Sequence, residues 1–143
     1  MRTSRPVSQV FLDTSGLVAV ANRKDRWHAR AEQTWKEFLE HGRQLVTTNV
    51  VLIELGDGLS RLKQRPVALR IREMLMTTAS IIQLSSATEE AAWNLFAERH
   101  DKEWGLTDCI SMTVMSEMKI TQAFTLDHHF QQAGFQILPD GDH

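Results

Sequence analysis

Residues 10–16 have the sequence VFLDTSG, in which a short apolar run ends at a carboxylate and is followed by turn-forming residues. The apolar run predicts a buried strand from Gln9 to Asp13. A carboxylate beside buried apolar segments is costly unless it is paired, hydrogen-bonded or bound to a metal ion. Because residues 14–16 also favour a plain turn, the motif alone fits a structural loop as well as it fits a catalytic site.

Outward from this segment, the chain alternates short apolar runs with amphipathic stretches. Further strands are predicted at residues 45–47, 81–84, 123–126 and 135–138, and helices at 27–41, 49–62, 67–76, 89–99 and 108–118. The predicted helix caps include Thr48 or Asn49, Ser86 or Thr88, and Thr107. Such alternation implies right-handed βαβ units and a mostly parallel sheet covered on both faces. The predicted fold class is therefore α/β, a three-layer α/β/α sandwich, in a single domain over residues 1–143.

Three further acids occupy positions comparable to that of Asp13, namely Glu54, Asp108 and Asp127. Asp13 and Asp127 are predicted to end strands, while Asp108 and Glu54 lie near the starts of helices. Because sites in open parallel sheets form beyond the carboxyl ends of the strands, we expect the four side chains to converge there. Four clustered carboxylates repel one another unless a cation neutralises them, and oxygen ligands suit magnesium or manganese. The pattern predicts a metal-dependent phosphodiester hydrolase with these four acids as catalytic residues.

Each of the four acids also has an ordinary structural explanation. Glu54 could face solvent on its helix, Asp108 could stabilise a first helical turn, and Asp127 could sit in a turn. Their joint placement at one edge of the sheet is what favours a shared site. The functions of Asp101, His128 and His129 stay open, since no second imidazole or cysteine at ligand spacing supports a zinc site.

Composition sets the remaining expectations. The net charge of −2 is near neutral, so any contact with nucleic acid would be local, with Arg61, Lys63 and Arg65 as candidate phosphate-binding residues or as solvated surface. The single cysteine favours a reducing, cytoplasmic location. The segment before Asp13, which carries Arg2 and Arg5, has no apolar run of signal-peptide or membrane-spanning length, so no membrane association is expected.

Two other magnesium-dependent classes fit the residues poorly. A haloacid-dehalogenase-type phosphatase needs a second Asp two positions after its nucleophile, where this chain has Ser15. A response-regulator-like receiver domain needs paired acids after the first strand and a lysine at the end of a late strand. The segment after Phe124 offers Thr125 and Asp127 and no lysine there.

Taken in order, FLDTS at 11–15, TTNVVLIE at 47–54, LTDCIS at 106–111 and FTLDHHFQQAGF at 124–135 resemble PIN-domain proteins of the VapC type. The resemblance covers about residues 10–138. It implies a PIN-like α/β/α sandwich, cleavage of single-stranded RNA, and a magnesium or manganese site that uses the four acids. Asp13 and Asp108 are expected as direct ligands, with Thr14 or Ser15 and Thr107 as supporting hydroxyls, while the position of Asp127 varies within the family.

The resemblance also implies partners. Toxin members of the family pair with a small antitoxin whose segment covers the active-site groove, and they usually form dimers, so a homodimer and an antitoxin protein are expected beside the RNA substrate. The alternative is a catalytically inactive PIN-fold subunit that binds RNA or serves as a scaffold. Intact Asp13, Glu54 and Asp108 count against that alternative, because a degenerate site is expected to lose at least one acid.

Overall fold

The computed structural model describes residues 8–140, so Arg2 and Arg5 lie outside the described residues. The strands of this part are β1 Gln9–Leu12, β2 Gln44–Thr48, β3 Ala79–Ile82, β4 Gln122–Phe124 and β5 Gln136–Leu138. The helices are α1 Thr14–Ala21, α2 His28–Glu40, α3 Asn49–Gly58, α4 Arg65–Thr78, α5 Ser86–Glu98, α6 Leu106–Met118 and α7 His129–Gln132. Over residues 8–140, every helix is too short or too polar to cross a bilayer.

The five strands form one sheet in the order β3-β2-β1-β4-β5, and all four strand pairs are parallel. The predicted α/β fold with a parallel sheet is thus confirmed. For this strand order, the general rule of right-handed crossovers predicts α1–α4 on one face of the sheet and α5–α7 on the other. The chain adds β2 and β3 on one side of β1 and then returns to add β4 and β5 on the other side, so the topological switch point lies between β1 and β4. The carboxyl ends of these two strands are therefore the expected place for a site.

The buried residues of the central strand β1 are all apolar: Val10, Phe11 and Leu12 are fully buried. On the neighbouring strand β4, the ring of Phe124 lies 5.4 Å from that of Phe38 and 5.8 Å from that of Trp35, both on α2. These aromatic contacts pack α2 against the face of β4.

Helix α1 begins immediately after β1, with Asp13 as its N-cap residue in an extended conformation. The sequence predicts only a turn here, because the Asp-Thr-Ser-Gly order is turn-forming in isolation. Packing against β4 decides otherwise: a Cβ atom on Gly16 would lie 2.6 Å from the carbonyl oxygen of Phe124. Only glycine therefore allows α1 to start this close to β4, and the close approach places Asp13 at the switch point.

Several predicted boundaries are wrong by one to four residues. The strand predicted at 81–84 lies at Ala79–Ile82, and β4 ends at Phe124, so Asp127 lies in the following loop rather than at a strand end. The predicted helix at 49–62 stops at Gly58, where glycines weaken the helix. The short helix α7 has no counterpart in the prediction, because four residues are too few to show a helical period.

Two predicted caps are also wrong. The N-cap of α5 is Ser85, whose hydroxyl accepts the backbone N–H of Thr88 at 3.1 Å, rather than Ser86 or Thr88 themselves. Helix α6 begins at Leu106 with Gly105 as its N-cap, which puts Thr107 inside the first turn. Here Asp108 turns back to accept the backbone N–H of Gly105 at 3.2 Å, so the acid supplies the cap that the prediction assigned to Thr107. The predicted cap Thr48 is confirmed and accepts the N–H of Val51 at 3.1 Å.

Candidate active site

Asp13 is a nearly buried carboxylate that is held by two hydroxyl groups. Its Oδ2 accepts from the hydroxyl of Thr125 at 2.8 Å and from that of Ser15 at 3.2 Å. The Ser15 oxygen in turn accepts the backbone N–H of Leu126 at 2.9 Å. The N-cap of α1 and the loop after β4 are therefore joined through one carboxylate oxygen, which fixes the orientation of Asp13.

Burial, and then the nearby charges of Asp108 and Glu54, raise the pKa of Asp13 from 3.8 to about 6, while Thr125 and the backbone N–H of Thr14 oppose this rise. At 1.36 kcal/mol per pKa unit, keeping Asp13 ionised costs the metal-free protein about 3 kcal/mol. The negative charges of Asp108 and Glu54, two of the predicted site acids, therefore disfavour the ionised form of Asp13 in the folded chain. A bound cation would offset that cost directly.

Glu54 reaches the site from α3. Its Oε1 accepts the hydroxyl of Thr14 at 2.6 Å, across 40 residues of chain. The side chain is exposed, unlike that of Asp13. Thr14 and Ser15, predicted as alternative supporting hydroxyls, both contribute: Thr14 contacts Glu54 and Ser15 contacts Asp13.

Asp108 and Asp127 meet around a residue whose function the sequence leaves open, His129. The Nδ1 atom of His129 lies 3.0 Å from Oδ2 of Asp108 and 3.3 Å from Oδ1 of Asp127. One potential ligand atom from each of these three residues lies within 4.8 Å of the others, a spacing that could hold a metal ion. The hydrogen bond to Asp108, followed by the charge of Asp127, raises the pKa of His129.

Thr125 is a site residue that the sequence reasoning missed. It is fully buried, donates to Asp13, and accepts the backbone N–H of Asp127 at 3.0 Å. One hydroxyl thereby links the first and fourth predicted acids. The signal in the sequence was a hydroxyl between an apolar strand and an acid, in Phe124-Thr125-Leu126-Asp127.

Other predicted residues lie apart from the acid cluster. Asp101 pairs with Arg99 at 2.9 Å, which lowers the pKa of Asp101. The basic residues Arg61, Lys63 and Arg65 are exposed in the α3–α4 connection and the start of α4. Arg61 and Lys63 line a cleft of about 650 Å³ together with Lys24, which follows α1 in the chain.

The donor set fits a hard divalent cation. Carboxylate oxygens dominate it, and the buried Asp13 is destabilised as an anion by its surroundings. Asp108 and Asp127 each accept protein donors on one oxygen, Oδ2 from Gly105 and Oδ1 from the His129 backbone, respectively. Such second contacts are the usual way in which proteins orient ligating carboxylates.

Comparison with known proteins identifies the family of this chain. The chain is 28% identical over 133 residues to the 23S rRNA-specific endonuclease VapC20 of Mycobacterium tuberculosis. The aligned residues cover 92% of this chain and 99% of that protein. The crystal structure of M. tuberculosis VapC20, described as a sarcin-ricin loop cleaving toxin, matches with a TM-score of 0.79 and 26% identity, over 88% of this chain and 95% of that one.

A more distant structure shares the fold alone. VapBC2 from Rickettsia felis, bound to a DNA fragment from its promoter, matches with a TM-score of 0.67 and 16% identity over 87% of this chain and 92% of that chain. The family model of the PIN domain matches residues 10–136, which include β1 except its first residue, the four acids and the first residue of β5. This protein therefore belongs to the PIN-domain family.

Proposed function

We propose that this protein, as a single PIN domain, is a divalent-metal-dependent endoribonuclease that hydrolyses phosphodiester bonds of single-stranded RNA. The observation that carries the proposal is the buried Asp13, whose pKa is raised to about 6 by burial and by Asp108 and Glu54. A protein that needed Asp13 only for its fold would gain nothing from surrounding it with further acids. An enzyme that binds a cation there does gain, because the cation and the acids stabilise each other.

In this proposal, magnesium or manganese is bound by Asp13 and Asp108, with Glu54 and Asp127 completing the set. The bound cation would supply Lewis acidity, which lowers the pKa of a water molecule and stabilises charge on the phosphate. Thr125 and Ser15 hold the Asp13 carboxylate in place. Thr107, in the first turn of α6, remains a proposed supporting hydroxyl.

Glu54 is suited to orient the attacking water. It is the exposed acid, and Thr14 fixes its Oε1 at 2.6 Å while the carboxylate faces solvent. A carboxylate in that position can accept a hydrogen bond from water and align it for in-line attack on phosphorus. Water attack gives a 5′-phosphate and a 3′-hydroxyl, as in two-metal nucleases.

RNA is the proposed substrate because the similar M. tuberculosis protein bears the name of a 23S rRNA-specific endonuclease. The exposed Arg61, Lys63 and Arg65 are proposed to contact its phosphates, with Lys24 on the same cleft. Such contacts give affinity without base specificity, so the cleaved sequence would be selected elsewhere on the surface.

The proposed biological setting is a toxin–antitoxin pair. Structural neighbours include VapBC assemblies from R. felis and Salmonella typhimurium, which supports a protein antitoxin as a partner. We further propose a homodimer, on the family likeness, and a cytoplasmic location, which is supported by the free cysteine Cys109.

The test is cleavage of a labelled single-stranded RNA pool by the wild type, Asp13→Ala and Asp108→Ala, with magnesium, with manganese and with EDTA. We expect cleavage only by the wild type with metal, and products that carry 5′-phosphates. Asp101→Ala serves as a matched control, because Asp101 is exposed and paired with Arg99. Cleavage that survives EDTA, or that both site variants retain, would overturn the mechanism. RNA binding without cleavage would instead identify an inactive binding or scaffold subunit.

A further inference from the structure

His129 contacts two acids that come from different parts of the chain. Its backbone N–H donates to Oδ1 of Asp127 at 2.9 Å, while its ring Nδ1 lies 3.0 Å from Oδ2 of Asp108 on α6. Carboxylates at neutral pH only accept hydrogen bonds, so Nδ1 must carry the hydrogen in the bond to Asp108. A single residue thus donates to both acids, once through its backbone and once through its ring.

The backbone that carries His129 is itself held in place. Phe130, the next residue, is fully buried in the core. Two residues further, the Gln132 side chain accepts from Nε1 of Trp104 at 3.0 Å, and Trp104 immediately precedes the Gly105 cap of α6. The Trp104–Gln132 hydrogen bond therefore links the end of α7 to the residue before the α6 cap, beside the contact between His129 and Asp108.

The two carboxylates need such a link, because like charges at this distance repel each other. Asp108 is anchored by the backbone N–H of Gly105 at the start of α6, and Asp127 is anchored by the backbone N–H of His129 at the start of α7. Without the imidazole, no side-chain donor within residues 8–140 joins Asp127 to Asp108, and nothing there opposes the repulsion between the two carboxylates when no cation is bound. Any separation of the two carboxylates would have to be reversed each time a cation binds.

We propose that His129 is a positioning residue, which holds Asp108 and Asp127 at the spacing that a divalent cation requires. The proposal rests on the proposed metal-dependent function and adds to it a residue outside the four acids. His129 acts through the carboxylates and is not itself a ligand. Loss of a hydrogen-bonding partner behind a ligand commonly weakens metal affinity by about 10–100-fold.

The experiment measures the dissociation constant of manganese for the RNA-free protein, from the free-ion signal in electron paramagnetic resonance. The variants are His129→Ala, His129→Asn and His129→Gln, because the Asn amide nitrogen can replace Nδ1 and the Gln amide nitrogen replaces Nε2 instead. The neighbouring exposed His128 provides the matched control, His128→Ala. Circular dichroism and melting curves check that each variant is folded.

We expect His129→Ala to weaken manganese binding by about 10–100-fold, His129→Asn to stay within about threefold of the wild type, and His128→Ala to match the wild type. Wild-type affinity in His129→Ala would overturn the proposal, as would equal weakening in the Ala and Asn variants. Rescue by Gln instead of Asn would show that Nε2, rather than Nδ1, makes the contact that matters, and would also overturn the proposal. A ¹⁴N coupling to bound manganese in the wild type would show direct ligation and would overturn it too. If the wild type itself binds neither manganese nor magnesium, the proposed metal-dependent function is wrong. If the wild type binds manganese and His129→Ala binds it equally well, only the inference about His129 is wrong.

Discussion

Replacing Asp13 by asparagine should stabilise the metal-free protein. The ionised carboxylate has a pKa raised from 3.8 to about 6 by burial and by its acidic neighbours, which corresponds to about 3 kcal/mol of unfavourable free energy. Asparagine removes the charge but keeps an oxygen that can accept from Thr125 and Ser15. We therefore expect Asp13→Asn to gain up to about 3 kcal/mol at pH 7.5 in EDTA, a rise in Tm of about 5–10 °C for a chain of this size.

The pH dependence of that gain follows from the direction of the pKa shift. Because the pKa of Asp13 is higher in the folded than in the unfolded chain, the folded wild type binds the extra proton between pH 6 and pH 4 and loses its penalty there. The difference between Asp13→Asn and wild type should be fully present above about pH 6 and should vanish below pH 3.8.

Thermal melts in EDTA between pH 4.5 and pH 8 measure the effect, with Asp57→Asn as a control for loss of an exposed charge. Added magnesium should raise the Tm of the wild type and leave that of Asp13→Asn unchanged, because ligands stabilise only the state that binds them. A lower Tm for Asp13→Asn at pH 7.5, or a difference that does not shrink towards pH 4.5, would refute the reasoning and make Asp13 a structural hydrogen-bonding residue.

Two further predictions test the metal site and the fold. The affinity for magnesium, measured by calorimetry at pH 7.5 and pH 5, should fall about tenfold per pH unit below about 6, because Asp13 must lose its proton to bind a cation; equal affinities at the two pH values would contradict this. Gly16→Ala should lose about 1–3 kcal/mol in guanidinium unfolding, since its Cβ would lie 2.6 Å from the Phe124 carbonyl oxygen. Gly56→Ala, where the added Cβ would meet open space, should instead gain up to about 1 kcal/mol of unfolding free energy. A Gly16→Ala variant as stable as the wild type would contradict the prediction and show that β4 moves aside.

The features that the sequence predicted well are those set by local pattern. Short apolar runs indicated the strands, and the 3.6-residue apolar period indicated α2. The predicted ends of α2 are each within one residue of the ends in the structure. The parallel arrangement followed from strand–helix alternation. Four acids were expected at one edge because topology, rather than spacing, brings residues 13, 54, 108 and 127 together.

The features that the sequence did not predict depend on tertiary contacts. Helix α1 forms on a turn-like sequence because Gly16 can approach β4, and that contact joins residues far apart in the chain. Thr125 and His129 are ordinary residues until the fold brings their donors to Asp13 and Asp108, at sequence separations of 112 and 21 residues. Such partners carry no local signature, so only the structure identifies them.

The pairing of β1 with β4 also has a consequence for the order in which this protein is synthesised. Asp13 leaves the ribosome early, whereas Thr125, its hydroxyl partner, follows 112 residues later. At a translation rate of about 5–20 residues per second, roughly 5–20 s separate the two. Until β4 emerges, one side of β1 is unpaired and Asp13 lacks both Thr125 and the acids beyond residue 100. The growing chain is therefore without a complete acid cluster until residues 124–127 have been made, and the site is assembled from the ends of β1 and β4 together.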